Sequence, residues 1–206
     1  WHMSAAFANA VTSHHNSENG TSLSACYVCS GSGTSVTCSD AITPYQCDGY
    51  RLPTEGEWVY AARSGTTSEF WTGAGSSLGG TYSSNSCSTS VTILDGVSNP
   101  LLSDYSWFCG NSNNSTQPVG QKLPNGFGLY DVHGNLWKWT ADWWGCSFSF
   151  PPTSTDPHCN STGSRRVLRG GNWSSTPFNL RVSNRSLSSP TDRSYPYIGF
   201  RLVLLP

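Results

Sequence analysis

Eight cysteines and five histidines carry most of the redox and metal-binding capacity of this 206-residue chain. Cys26-x-x-Cys29, followed by Cys38 and Cys47, supplies enough soft donors for a four-thiolate zinc site. With Cys87, Cys109, Cys146 and Cys159 they also form an even set, which suits disulfides and an oxidising compartment. We expect disulfides, with Cys87–Cys109 and Cys146–Cys159 as local closures, and leave the other pairings and the zinc alternative open. A CxxC redox centre opens a helix after a strand, whereas "ACYVCSGSGTSVTC" reads as a loop with short strands. Among the histidines, His14 and His15 are adjacent; on a helix they point about 100° apart and chelate poorly. His2, His133 and His158 complete the set, and each histidine reads as a surface or turn residue.

The cations are unevenly placed. Residues 165–206 hold seven arginines (Arg165, Arg166, Arg169, Arg181, Arg185, Arg193 and Arg201) against one acid, Asp192. We expect most of them to pair internally or to bind loop carbonyls, because a phosphate-binding stripe favours adjacent lysines. A formal net charge of -1 argues against nucleic acid or an acidic membrane as partner. Between Trp173 and Ile198 the chain is Ser-, Thr-, Asn- and Pro-rich, a polar filling framed by apolar ends.

The elements that must position these groups are few. "WHMSAAFANAVTSHH" places Trp1, Ala5, Phe7, Ala8 and Val11 at helical spacing. Met3 falls inside that pattern, which reads as though a native N-terminal portion precedes Trp1. "RLPTEGEWVYAARSG" predicts a second helix: Thr54 caps it, Glu57 closes a capping box, Trp58, Ala61 and Ala62 line one face, and Gly65 suits the exit. Residues 66–118 read as loops held by disulfides. Asn-Gly and His-Gly-Asn turns separate short aromatic strands over 124–144, and strands open and close the last segment. Charged residues make up 11% and apolar ones 36%, with 9 tryptophans, so the chain is a loop-rich fold pinned by aromatics rather than a disordered one. No apolar run is long enough to span a membrane. With no repeat and no linker, residues 1–206 read as one domain.

Four blocks, "YRLPTEGEWVYAAR", "NGFGLYDVHGNLWKWTADWW", "RVLRGGNW" and "IGFRLV", occur in this order. Together they resemble the formylglycine-generating-enzyme (sulfatase-modifying factor) superfamily across residues 1–206. The resemblance implies an α+β, C-type-lectin-like fold of that subtype: loop-rich, with little regular structure, a twisted antiparallel sheet and a few helices. Members of this superfamily are copper-dependent oxidases that make formylglycine from a sulfatase cysteine, iron-dependent sulfoxide synthases, or non-enzymatic binding proteins. The last group includes the variable proteins of diversity-generating retroelements.

Each branch makes a demand on this chain. The oxidases keep a cysteine pair shortly after the Gly-Gly-x-Trp block, where soft thiolates hold Cu(I). Here that stretch is "NWSSTPFNLRVSNR", Asn172 to Arg185, without a cysteine. The sulfoxide synthases need a three-histidine iron site on a separate helical domain, which these histidines do not reproduce. The resemblance also implies calcium held by Asp131, by the carbonyls of Gly134 and Leu136 and by an acid at position 138. This chain has Lys138 there. We expect no cofactor, neither copper nor calcium, with the Lys138 amine in the metal's place, paired to Asp131 and the loop carbonyls.

What the resemblance leaves is a surface. In the variable proteins the frame from Gly-Gly-x-Trp to Ile-Gly-Phe-Arg surrounds positions rewritten at template adenines, where NNC codons exclude Lys, Glu, Gln, Met and Trp. Residues 174–197 contain none of these five. The candidate ligand-binding positions are Ser174, Ser175, Thr176, Phe178, Asn179, Ser186, Leu187, Ser188, Ser189, Asp192, Ser194, Tyr195 and Tyr197, with Pro196 a further candidate variable position. Exposed aromatics among serines give broad contact at low entropic cost. The expectation is therefore a non-enzymatic, extracytoplasmic binding or adhesion domain, fixed or retroelement-diversified, for a protein, peptide or glycan at a cell surface. The oxidase is the alternative.

Overall fold

The computed structural model describes residues 1–71, 87–89, 101–147, 155–161, 163–193 and 196–205. Helix α1 (His2–Asn19) turns Ser4, Ala5, Ala8 and Thr12 inward and ends at Gly20, whose φ of 65° is left-handed. It lies on a hairpin of β1 (Tyr27–Ser30) and β2 (Thr37–Asp40), paired antiparallel with Cys29 opposite Cys38. Phe7, expected on the buried face, is instead about half exposed and meets the ring of Phe200.

Helix α2 (Glu55–Arg63) has the capping box its sequence announces. Thr54 Oγ1 accepts from the Glu57 amide, and the Thr54 amide donates to Glu57 Oε2 at 2.8 Å. The helix leaves through Ser64 in the left-handed region, one residue before the predicted glycine. Trp58, Val59 and Ala62 form its buried face, while Ala61 is half-buried.

A short helix α3 (Leu102–Tyr105) leads into β3 (Ser106–Trp107), which pairs in parallel with β4 (His133–Gly134). Gly134 sits so close to β3 that a Cβ there would lie 2.1 Å from the Trp107 carbonyl oxygen, at a φ of 76°. That contact explains the His-Gly-Asn turn better than flexibility does.

The central sheet has the order β7-β6-β5-β8: β7 (Arg185–Ser188), β6 (Arg166–Arg169), β5 (Trp137–Trp143) and β8 (Ile198–Gly199). β5, β6 and β7 pair antiparallel, whereas the short β8 runs parallel to β5. Helix α4 (Pro177–Leu180) is a single turn between β6 and β7. One apolar cluster joins α1 and the hairpin to the sheet through Trp1, Ala5, Ala8, Tyr27, Trp139 and Leu168. A second packs the inner face of α2 on Val132 and Val182. Arg51 and Val203 exchange both backbone hydrogen bonds, so the C-terminal strand segment closes beside α2.

All eight cysteines are in disulfides: Cys26–Cys47, Cys29–Cys38, Cys87–Cys109 and Cys146–Cys159. The two local closures form, and the zinc alternative falls because its four thiolates are consumed in two bridges.

Candidate functional site

The polar filling is built around Asn172. Its side-chain oxygen accepts from the Ser174 amide at 3.0 Å and from the Ser175 hydroxyl at 2.7 Å, and its own amide donates to Ser175 Oγ. Ser175 is thereby turned inward and buried, and its carbonyl accepts from the Cys109 amide. Ser174 is exposed, Thr176 and Asn179 are half-buried, and Phe178 is exposed with the Arg181 guanidinium 3.7 Å from its ring centroid.

Strand β7 carries the next candidates. Ser186 and Leu187 are half-buried, while Ser188 is buried, its hydroxyl donating to the Asp192 carboxylate. Asp192 Oδ2 also accepts from the Ser189 amide at 3.1 Å, closing the turn after the strand. Tyr197 is half-buried rather than exposed: its ring tilts against Trp173 at 5.3 Å, and its carbonyl receives the Trp137 amide. Pro196 is exposed. Ser194 and Tyr195 lie outside the described residues.

The sheet brings part of this set together. Leu187, Ser188, Ser189, Asp192 and Tyr197 line a groove of about 440 Å³, whereas Ser174, Thr176, Phe178 and Asn179 do not. Each strand contributes to its wall: Leu187 from β7, Leu168 from β6, Trp137 from β5 and Ile198 from β8. Sequence reasoning did not place Trp137, Arg165, Leu168 and Ile198 at this surface, because strand pairing between distant segments sets them beside the polar segment.

Two acids of α2 hold the frame. Glu55, 1% exposed, receives the Arg185 guanidinium at 2.6 and 2.8 Å and also pairs with Arg169. Arg169 in turn donates to the carbonyls of Val182 and Asn184, on the loop between α4 and β7. Burial lowers the Arg169 pKa to about 10, with Glu55 opposing. Glu57 receives Arg51 through two bonds of 2.7 Å. Six of the seven C-terminal arginines thus pair internally, as expected of most of them, whereas Arg165 is exposed and pairs with none of the described residues.

A second concavity, of about 510 Å³, lies over the turn that the resemblance assigns to calcium, lined among others by Asp131, Leu136, Lys138 and Arg201. The residues do not fit the metal. Lys138 is buried, and its Nζ donates to the Gly134 carbonyl at 2.7 Å and to the Val132 carbonyl at 3.3 Å, so the amine occupies the donor atoms a cation would use. The expected partners are corrected in two respects. Val132, not Leu136, supplies the second carbonyl, and no ion pair to Asp131 forms among the described residues. Asp131, in the left-handed region at a φ of 53°, accepts from the Gly120 amide at 2.7 Å. Arg201 donates to the Tyr130 carbonyl. Burial lowers the Lys138 pKa to about 7, assisted by Arg201 and opposed by Asp131.

His133, expected at the surface or in a turn, is fully buried in β4. Its Nδ1 is 2.7 Å from the Leu180 carbonyl, and burial lowers its pKa to about 4. It is a core residue because β4 lies inside, between β3 and the Gly170 turn. Among the described residues no cluster of three metal-ligating side chains occurs, and no helix is long and apolar enough to cross a membrane.

Comparison with known proteins agrees with this architecture. A sulfatase-modifying factor enzyme 1-like domain model matches residues 1–205. A formylglycine-generating enzyme of Streptomyces coelicolor is 34% identical over 170 residues, covering 81% of this chain and 50% of that protein. The mouse formylglycine-generating enzyme is 33% identical over 171 residues, 81% of this chain and 42% of its own. This chain therefore spans about half the length of the curated relatives it matches. Among solved structures, Treponema denticola variable protein 1 superimposes with a TM-score of 0.71 at 28% identity, over 100% of this chain and 69% of that one. PvdO from Pseudomonas aeruginosa gives a TM-score of 0.55 at 24% identity, over 95% of this chain and 76% of its own, a likeness of fold alone.

Proposed function

The chain belongs to the sulfatase-modifying factor enzyme 1-like domain family, with its C-type-lectin-like fold, and from that premise we propose that it is a non-enzymatic ligand-binding domain. The recognition surface is the groove and the adjoining turn of residues 172–197. One observation carries the reading. Where the resemblance places the oxidase thiol pair, this chain has the Asn172–Ser175 hydrogen-bonded turn, and all eight cysteines are already bridged elsewhere. A serine hydroxyl does not replace a thiolate at Cu(I).

The curated relatives carry an enzyme's name, which favours the oxidase as a second reading. The two separate in an oxygen electrode. With copper supplied and a cysteine-containing peptide as substrate, the domain is expected to consume no oxygen above buffer; sustained turnover would discard the binding-only reading.

The likeness to a variable protein, with the absence of five residue types over 174–197, supports retroelement diversification of this surface. A nearby near-copy of the coding segment for 170–203, differing only at adenines and adjoining a reverse transcriptase, is the expected genomic finding. A locus without one makes the binder a fixed sequence. Four disulfides favour an extracytoplasmic setting, where the ligand would be presented at a cell surface.

A further inference from the structure

The groove on the central sheet holds a charge that the described chain leaves unused. Among the described residues, all 11 lysines and arginines except Arg165 have a carboxylate or carbonyl partner. Arg165 is exposed, stands one residue before β6 and lines the groove. The register that sets Arg166 opposite Ser188 puts it beside the end of β7, where Ser189 and Asp192 lie. Among the described residues no ion pair joins Arg165 to Asp192, which is tied through Oδ2 to Ser188 and Ser189. Asn172 lines the same groove. Its side-chain nitrogen, Nδ2, makes no hydrogen bond to the described residues, although its side-chain oxygen accepts three and its backbone N–H donates to Ser175. Trp137, Leu168 and Ile198 add apolar groups to the same lining.

A guanidinium fork matches a carboxylate through two parallel hydrogen bonds. The groove's 440 Å³ falls within the range of about 300–1,000 Å³ typical of small-ligand sites. We propose that this groove binds a peptide segment by its carboxylate, held by Arg165 and assisted by Asn172, with a neighbouring aliphatic or aromatic side chain against Trp137, Leu168 and Ile198. The proposal rests on the binding role above and names its ligand. A neutral glycan brings no counter-ion to Arg165. An acidic sugar brings the carboxylate, but no hydrocarbon side chain for these apolar groups and no cation for Asp192. A peptide carries all three within a few bonds.

The test uses the whole chain on an array of acetylated, C-terminally amidated tetrapeptides. Each Asp or Glu member is paired with its Asn or Gln isostere, and sialylated and sulfated glycans share the slide. Peptides joining an acid to Leu, Ile or Phe are expected to retain the protein about ten-fold more strongly than their isosteres, as a charge-assisted hydrogen bond provides. Arg165→Gln, an exposed change that leaves melting unaltered, should erase the difference, and Arg165→Lys should restore part of it. Equal retention on acid and amide members, or a preference that survives Arg165→Gln, overturns the carboxylate assignment while leaving a binding surface. Retention on glycans in preference to peptides overturns the peptide assignment. No retention on any spot overturns this proposal, while the binding role is judged separately by the oxygen-electrode test.

Discussion

Lys138 shows how one residue redirects a site. A buried amine bonded to two carbonyls holds the 132–138 turn closed by itself, charged or neutral. Chelators and added calcium are therefore expected to leave Tm unchanged, and Lys138→Glu, which restores an acid there, should make Tm rise with calcium. A fall in the wild-type Tm on chelation would refute this. The amine also leaves a pH signature. Its folded pKa, about 7, lies below its ordinary value of 10.5, so between these the unfolded state binds more protons. Stability should then rise with pH across that window, as the cost of burying the charge is relieved. In urea titrations from pH 7 to 10, Lys138→Met should flatten that slope, isolating it from Asp131, Arg201 and His133 nearby. The lysine was legible in the sequence, as a cation where an acid is expected. Its carbonyl partners were not, because they depend on which oxygens the turn points inward.

At the scale of elements, α2 joins a local device to a long-range one. The capping box involves Thr54 and Glu57, three residues apart, and could be read directly. Its loss in Thr54→Ala should cost about 1 kcal/mol. Glu55 is the larger anchor, since it holds β6 and β7 through Arg169 and Arg185. Glu55→Gln leaves buried guanidinium groups without their counter-charge, so a loss of about 3–5 kcal/mol is expected in urea denaturation. A loss no larger than that of Thr54→Ala would show that the arginines find other partners. Spacing from Thr54 marks Glu57 locally, but nothing local marks Glu55 as an anchor, although both lie in the first turn of the helix. Partners 114 and 130 residues away decide its role.

The whole molecule has much loop and a short sheet, so its covalent links matter. Cys26–Cys47 closes a span of 21 residues and Cys29–Cys38 one of 9, both beneath α1. Loop-closure entropy favours the longer link, at about 3 kcal/mol. The Cys26→Ser/Cys47→Ser double variant should therefore melt lower than Cys29→Ser/Cys38→Ser; the reverse order in calorimetry would mean that hairpin geometry outweighs chain entropy. The groove exists only at this scale, since residues 137, 165, 168, 187 and 198 meet across four strands.

By itself, the sequence determined the helices α1 and α2, the turn glycines, the short central strands and the even cysteine set. Those features rest on periodicity, capping and backbone sterics within a few residues of one another. Only the tertiary structure decided that Ser175 and Ser188 turn inward, that Tyr197 leans on Trp173, and that Arg165 alone among the described cations is left without a partner. Burial and charge pairing depend on strand register and loop packing between distant segments, and no local pattern along the chain encodes which of several similar side chains will meet.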